Sequence, residues 1–183
     1  MHGLPVTTLA RTAVDCARAL AGLPALVVAD AALRAGCSPD ELAAAARRCD
    51  GQRGARRARE VLALADGGAE SAGETWVRAV LLAAGLPAPT TQLQVETRRG
   101  PVWADLGWPG ARLLLEYDGR GKYVTPEDLY REKQRHDALV EAGWTVLRVT
   151  ADDCARPDEL VARVVRAAPA LRRVARRRPV LAA

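Results

Sequence analysis

The chain has 183 residues, of which 49% are hydrophobic, enough for one full core and about one to one and a half domains. Aromatics make up 4% and Phe is absent, so that core must be filled by Leu, Val and Ala, and the formal net charge of +5 is matched by Arg172, Arg173, Arg176, Arg177 and Arg178 alone. No run approaches the roughly 20 apolar residues of a membrane span, no charged segment with an apolar stretch behind it opens the chain, and Cys16, Cys37, Cys49 and Cys154 lack the CxxC spacing of a zinc site.

Residues 1–66 read as a small all-helical subdomain: "TTLARTAVDCARALAG", "PALVVADAALRAG", "SPDELAAAARR" and "RGARRAREVLALA". Ser38 and Glu41 have the spacing of a capping box, and Pro39 falls at the first helical position, where its missing N–H is harmless. Gly67 and Gly68 then mark a boundary. From Ser71 a helix is expected with Trp76, Val80, Leu81 and Ala84 on one face. Three strands follow, "TQLQVET", "PVWADLGW" and "RLLLEYD", then an amphipathic helix, "PEDLYREKQRHDALVEAG", with Leu129, His136, Leu139 and Val140 at helical spacing. A strand, "WTVLRVT", and a final helix, "RPDELVARVVRAA", complete residues 67–168, and an Arg-rich tail occupies 169–183. The fold class is α/β, an α+β arrangement with a mixed sheet in the order α-β-β-β-α-β-α.

"RLLLEYDGRGKY" sets two carboxylates at the end of an apolar strand. Side chains alternate, so Glu116 and Asp118 share a face. Asp105 interrupts the preceding strand, and "WPGAR" supplies turn residues between the two. If Pro109 to Arg112 form the loop, Asp105 lies opposite Glu116, with Cβ atoms about 5 Å apart. Two carboxylates that close repel unless one is protonated or a cation lies between them. Mg²⁺ or Mn²⁺ suits such a pair, because a hard ion takes one or two carboxylates, waters and phosphate oxygens, and phosphodiester hydrolysis uses that chemistry. Only Lys122 and Lys133 are lysines among 27 basic residues, and Lys, unlike Arg, can shift its pKa. Glu74 has the spacing of a capping partner for Ser71 and is also a candidate site residue.

From about Glu70 to Ala167 the chain resembles the PD-(D/E)XK restriction-endonuclease-like superfamily. More closely it is similar to the uncharacterised family related to very-short-patch-repair (Vsr) mismatch endonucleases. The residues that carry the likeness are Asp105, Glu116 with Asp118 and Gly119, then Arg135 to Leu139, Gly143, Trp144, Val146 and Arg148. The resemblance implies a metal-dependent endonuclease acting on DNA. Asp105 and Glu116 would bind the ion, Asp118 would assist, Lys122 or Lys133 would orient the water, and Glu74 would act through a second water. Arg131, Arg135, Arg172, Arg173 and Arg176 would contact phosphates. The superfamily places a Lys two residues after the Glu, where this chain has Asp118. The alternative is therefore a non-catalytic DNA-binding or antitoxin-type regulatory module that keeps the fold.

"GLPVTTLARTAVDCARAL" resembles the segment that, in AbiEi-type antitoxin-like actinobacterial proteins, follows an N-terminal winged helix-turn-helix. That head is expected to be missing here, a dimer is left open, and a cytoplasmic location without membrane contact is expected.

Overall fold

The computed structural model describes residues 3–119, 125–174 and 178–181. Lys122 and Arg176 lie outside the described residues, as does the side chain of Arg173. The chain divides into two units, Met1–Thr75 with Pro179–Ala183, and Trp76–Arg178.

Capping chemistry starts the helices of the first unit. Thr8 Oγ1 accepts from the Arg11 N–H at 3.1 Å and opens α1 (Leu9–Ala19). After α2 (Gly22–Arg34), Ser38 and Glu41 form the reciprocal capping box of α3 (Pro39–Arg47), and α4 (Ala55–Leu62) follows. Ala13, Val14, Ala17, Ala25, Ala29 and Ala45 are buried, and side chains this small let α1 lie close against α2, α3 and α4.

The unit extends past the glycine pair for identifiable reasons. Asp30 is buried on α2, and its carboxylate accepts from the Asp66 N–H at 2.8 Å and the Thr75 hydroxyl at 2.9 Å. Arg34 donates to the Ala69 carbonyl at 2.6 Å. These bonds satisfy a buried charge and tie residues 66–75 to α2, so the division falls inside α5 (Ala72–Ala84).

The second unit is a four-stranded mixed sheet in the order β1 (Thr90–Thr97), β2 (Gly100–Trp108), β3 (Leu113–Tyr117), β4 (Thr145–Val149). The first two pairings are antiparallel and β3–β4 is parallel, so the connection from β3 to β4 needs a crossover. This is α6 (Pro126–Glu141), begun by Pro126 and a capping box between Thr125 and Asp128. Gly143, at φ +83°, closes α6 in the left-handed conformation that glycine adopts freely. The α+β class and its mixed sheet are as the sequence indicates.

Leu113, Leu114 and Leu115 are all buried because β3 is covered on both faces, which explains an unbroken apolar run. Leu114 packs with Val95, Ala104 and Leu139. Leu113 and Leu115 pack with Val77 and Leu81 of α5 and with Leu160 and Val164 of α8 (Pro157–Ala167).

Two helix faces differ from expectation. On α5, Trp76 is 43% exposed and Val77 takes the core position. On α6, Leu129 and Val140 are exposed, and Ala138 and Leu139 make the buried seat. A short α7 (Ala151–Cys154), capped by Thr150 and Asp153, also precedes α8. The tail is not wholly solvated, since Leu171 and Leu181 are buried. Among the described residues no helix is long and apolar enough to cross a membrane.

Candidate active site

The hairpin between β2 and β3 turns through Pro109–Ala111 and Arg112, the last at φ +49°. Its pairs are Leu106↔Leu115, Gly107↔Leu114 and Trp108↔Leu113, the register expected from a loop spanning Pro109 to Arg112. One further step places Asp105 at the level of Glu116.

At that step the regular ladder gives way. The β1–β2 pairing passes from Thr91↔Leu106 to Leu93↔Ala104, with Gln92 between them at φ +45°. Val102 and Ala104 face the cluster under α6, whereas Leu106 and Trp108 face the cluster under α5 and α8. The alternation of β2 thus slips at Asp105. Its carboxylate supplies an acceptor there, and Oδ2 takes the Tyr117 N–H at 2.7 Å.

Asp105, Glu116, Tyr117, Asp118, Glu132, Arg135 and Arg148 line a cleft of about 260 Å³. Glu116 is 7% exposed. Arg135 Nη1 approaches its Oε1 at 2.7 Å, an ion pair without hydrogen-bond alignment, since Oε1 has no hydrogen-bond partner among the described atoms. Arg135 also donates through Nη2 to the Trp103 carbonyl at 2.6 Å, and its Nη1 lies 3.6 Å from Glu132. Glu132 accepts from Arg148 Nη2 at 2.7 Å. Arg148 itself stands beside Glu116 in the β3–β4 register and is backed by Arg163, which donates to its carbonyl at 2.8 Å and pairs with Asp153.

The Glu116 carboxyl is held above the ordinary glutamate range. Desolvation is the main cause, Glu132 and Asp105 add to it, and Arg135 opposes it. An acid whose native pKa is raised stabilises the fold below its ordinary pKa and loses that contribution as pH rises through the native value. Across the span above the ordinary carboxylate range, the melting temperature of the wild type is therefore expected to fall relative to Glu116→Gln as pH increases. A gap that grows in favour of the wild type with rising pH would contradict this account.

The structure brings Asp105, Glu116, Asp118 and Arg135 together and adds Glu132 and Arg148, which the sequence reading did not count as site residues. The signal for Glu132 was its spacing of three from Arg135 on one helix face; Arg148 stood in the quoted motif. Arg135 turns inward, to the Glu116 and Glu132 carboxylates and the Trp103 carbonyl. Lys133 and Arg131 are exposed on α6, and neither lines the cleft. Glu74 belongs to the helical unit. Its buried carboxylate accepts from the Glu70 N–H at 2.7 Å and the Ser71 hydroxyl at 2.8 Å. Arg172 is exposed on the stretch Pro169–Val174.

Comparison with known proteins gives two similar chains, both from Mycobacterium tuberculosis: the uncharacterised proteins MT2308 of strain CDC 1551 and Rv2248 of strain H37Rv. Each is 40% identical over 169 residues, 91% of this chain. The chain spans 62% of the length of these relatives. No family model matches, and no solved structure matches significantly.

Proposed function

We propose that the α/β unit is a metal-dependent endonuclease-like domain of the PD-(D/E)XK, Vsr-related type that hydrolyses DNA phosphodiester bonds. The supporting observation is a charge imbalance within one cleft. When all are ionised, the four carboxylates of Asp105, Glu116, Asp118 and Glu132 meet only the two guanidiniums of Arg135 and Arg148, leaving the charge that one divalent cation neutralises. Among the described residues no three such side chains already form a metal cage. The donor set nonetheless fits Mg²⁺ or Mn²⁺, which take one or two carboxylates and complete their shell with water and phosphate oxygens.

Asp105 and Glu116 would hold the ion, which supplies Lewis-acid polarisation of the phosphoryl group and a more acidic bound water. The protein's own contribution is orientation. The Tyr117 N–H fixes one oxygen of Asp105 and leaves the other for a ligand. Burial gives Glu116 a demand for positive charge. Glu132, paired with Arg148 at 2.7 Å, stands 3.6 Å from Arg135, and Asp118 adds an acceptor to the same cleft.

A non-catalytic DNA-binding or antitoxin-type module is the second reading. It is favoured by the cation that Arg135 already provides to Glu116 and by the position of Lys133 outside the cleft. Plasmid cleavage in Mg²⁺ or Mn²⁺ and in chelator, by wild type and Asp105→Asn, separates the two. The nuclease reading expects metal-dependent nicking by the wild type and at least about a hundredfold loss in the variant, the scale of removing one electrostatic group from a reaction centre. Salt-sensitive DNA binding with no cleavage under any metal condition would leave the second reading.

A further inference from the structure

We infer that Arg135 is the resident counter-ion of the cleft, a positioning residue whose guanidinium holds the place of a divalent cation on Glu116, so that metal uptake is coupled to the arrival of a phosphate backbone. This rests on the metal-dependent reading above.

Three features of the contact carry the inference. First, it is close but not locked. Arg135 Nη1 lies 2.7 Å from Glu116 Oε1 but off hydrogen-bond alignment, and aligned bidentate geometry gives Arg–carboxylate pairs their strength. Second, the two partners differ in burial. The Glu116 side chain is 9% exposed and that of Arg135 is 31%, so the guanidinium has an outward path that the carboxylate lacks.

Third, departure of Arg135 strands only one charge. Glu132 retains Arg148 at 2.7 Å, whereas Glu116 loses the one guanidinium ion-paired with it among the described side chains, since Arg148, its neighbour in the β3–β4 register, is held by Glu132. A buried charge without a partner is strongly unfavourable, so Arg135 leaves by exchange with another cation. A guanidinium and a metal ion cannot both sit on Oε1. A phosphodiester offers Arg135 a replacement partner whose two free oxygens match the guanidinium fork, and Trp103, whose carbonyl accepts the other arm of Arg135, is half exposed, which places this part of β2 in reach of solvent.

Coupling of this kind is reciprocal: DNA tightens metal binding by the factor by which metal tightens DNA binding. The test is Mn²⁺ titration of the full chain, followed by the resonance of free Mn²⁺. Samples are wild type, Arg135→Gln, and wild type with a saturating short phosphorothioate duplex. Arg135→Gln, and separately the duplex, are expected to tighten Mn²⁺ binding at least about tenfold, within the usual range of site–site coupling. The duplex effect should vanish in Glu116→Gln, which separates it from Mn²⁺ held by the DNA itself. The duplex comparison on the wild type needs no altered chain and stands even if Arg135→Gln fails to fold. Equal Mn²⁺ affinity in wild type and folded Arg135→Gln, or no change on adding duplex, overturns the inference and leaves the nuclease reading intact. No Mn²⁺ binding in any sample removes both.

Discussion

Asp105→Ala is expected to destabilise the α/β unit by about 1–3 kcal/mol, the cost of depriving a part-buried donor of its acceptor, and to abolish the proposed metal binding at the cleft. The Tyr117 N–H donates to Asp105 Oδ2 at 2.7 Å, where the β1–β2 pairing is interrupted. Asp105→Asn keeps a carbonyl oxygen for that N–H and removes the charge. Its destabilisation should be about 1 kcal/mol or less, reflecting the weaker bond of a neutral acceptor, while metal binding is lost as completely as in the Ala variant. Urea denaturation and Mn²⁺ titration of both variants check this. Equal destabilisation by Asn and Ala would show that the hydrogen bond to Tyr117 is not what Asp105 contributes to the fold.

The second large effect lies under α6. Leu139 is fully buried beside Leu114, Val95 and Ala104, and it seats the helix that carries Glu132 and Arg135. Leu139→Ala is expected to cost about 2–5 kcal/mol, as large-to-small changes in a packed core do. Leu129→Ala, on the same helix but 59% exposed, should change stability by no more than about 0.5 kcal/mol. Because α6 positions two charged residues of the cleft, Leu139→Ala should also weaken the Arg135–Glu116 pairing and shift the titration of Glu116, observable by carbon NMR of its carboxyl. A Leu129→Ala penalty comparable to that of Leu139→Ala would mean that the burial pattern of α6 is misassigned.

The same two residues mark where sequence reasoning succeeded and where it stopped. Leu129, Leu139 and Val140 are alike in chemistry and all fit a helical period, but only Ala138 and Leu139 seat deeply; Leu129 lies in the first turns, Val140 turns off the buried face one residue past Leu139, and periodicity alone does not carry that difference. Trp76 misled for a related reason: size suggests burial, yet Val77 points into the cluster with Leu81. The hairpin was legible because Pro109 and Gly110 fix a loop length, and loop length fixes register. The pairing of Leu106 with Leu115, one step from Asp105 and Glu116, followed from that alone.

The change of face along β2 at Asp105 was hidden, since it coincides with Gln92 at φ +45°, and nothing about Gln advertises a left-handed backbone. Glu132 was overlooked for a different reason. A carboxylate on an exposed-looking helix face joins the cleft only because the β3–β4 crossover brings α6 over Glu116 and Arg148. The extension of the helical unit to Thr75 likewise required the buried Asp30, which in sequence is one acidic residue inside an apolar helix.

In the proposed function, Asp105 and Glu116 hold a divalent metal whose place Arg135 takes in the absence of DNA. Anomalous diffraction at a wavelength where manganese scatters strongly, from Mn²⁺-soaked crystals of the complex with a short duplex, tests it most directly. The expected result is an anomalous peak in contact with both carboxylates, with the Arg135 guanidinium withdrawn from Glu116 toward a phosphate. No peak at the cleft, with Arg135 still against Glu116 while the duplex is bound, would contradict it.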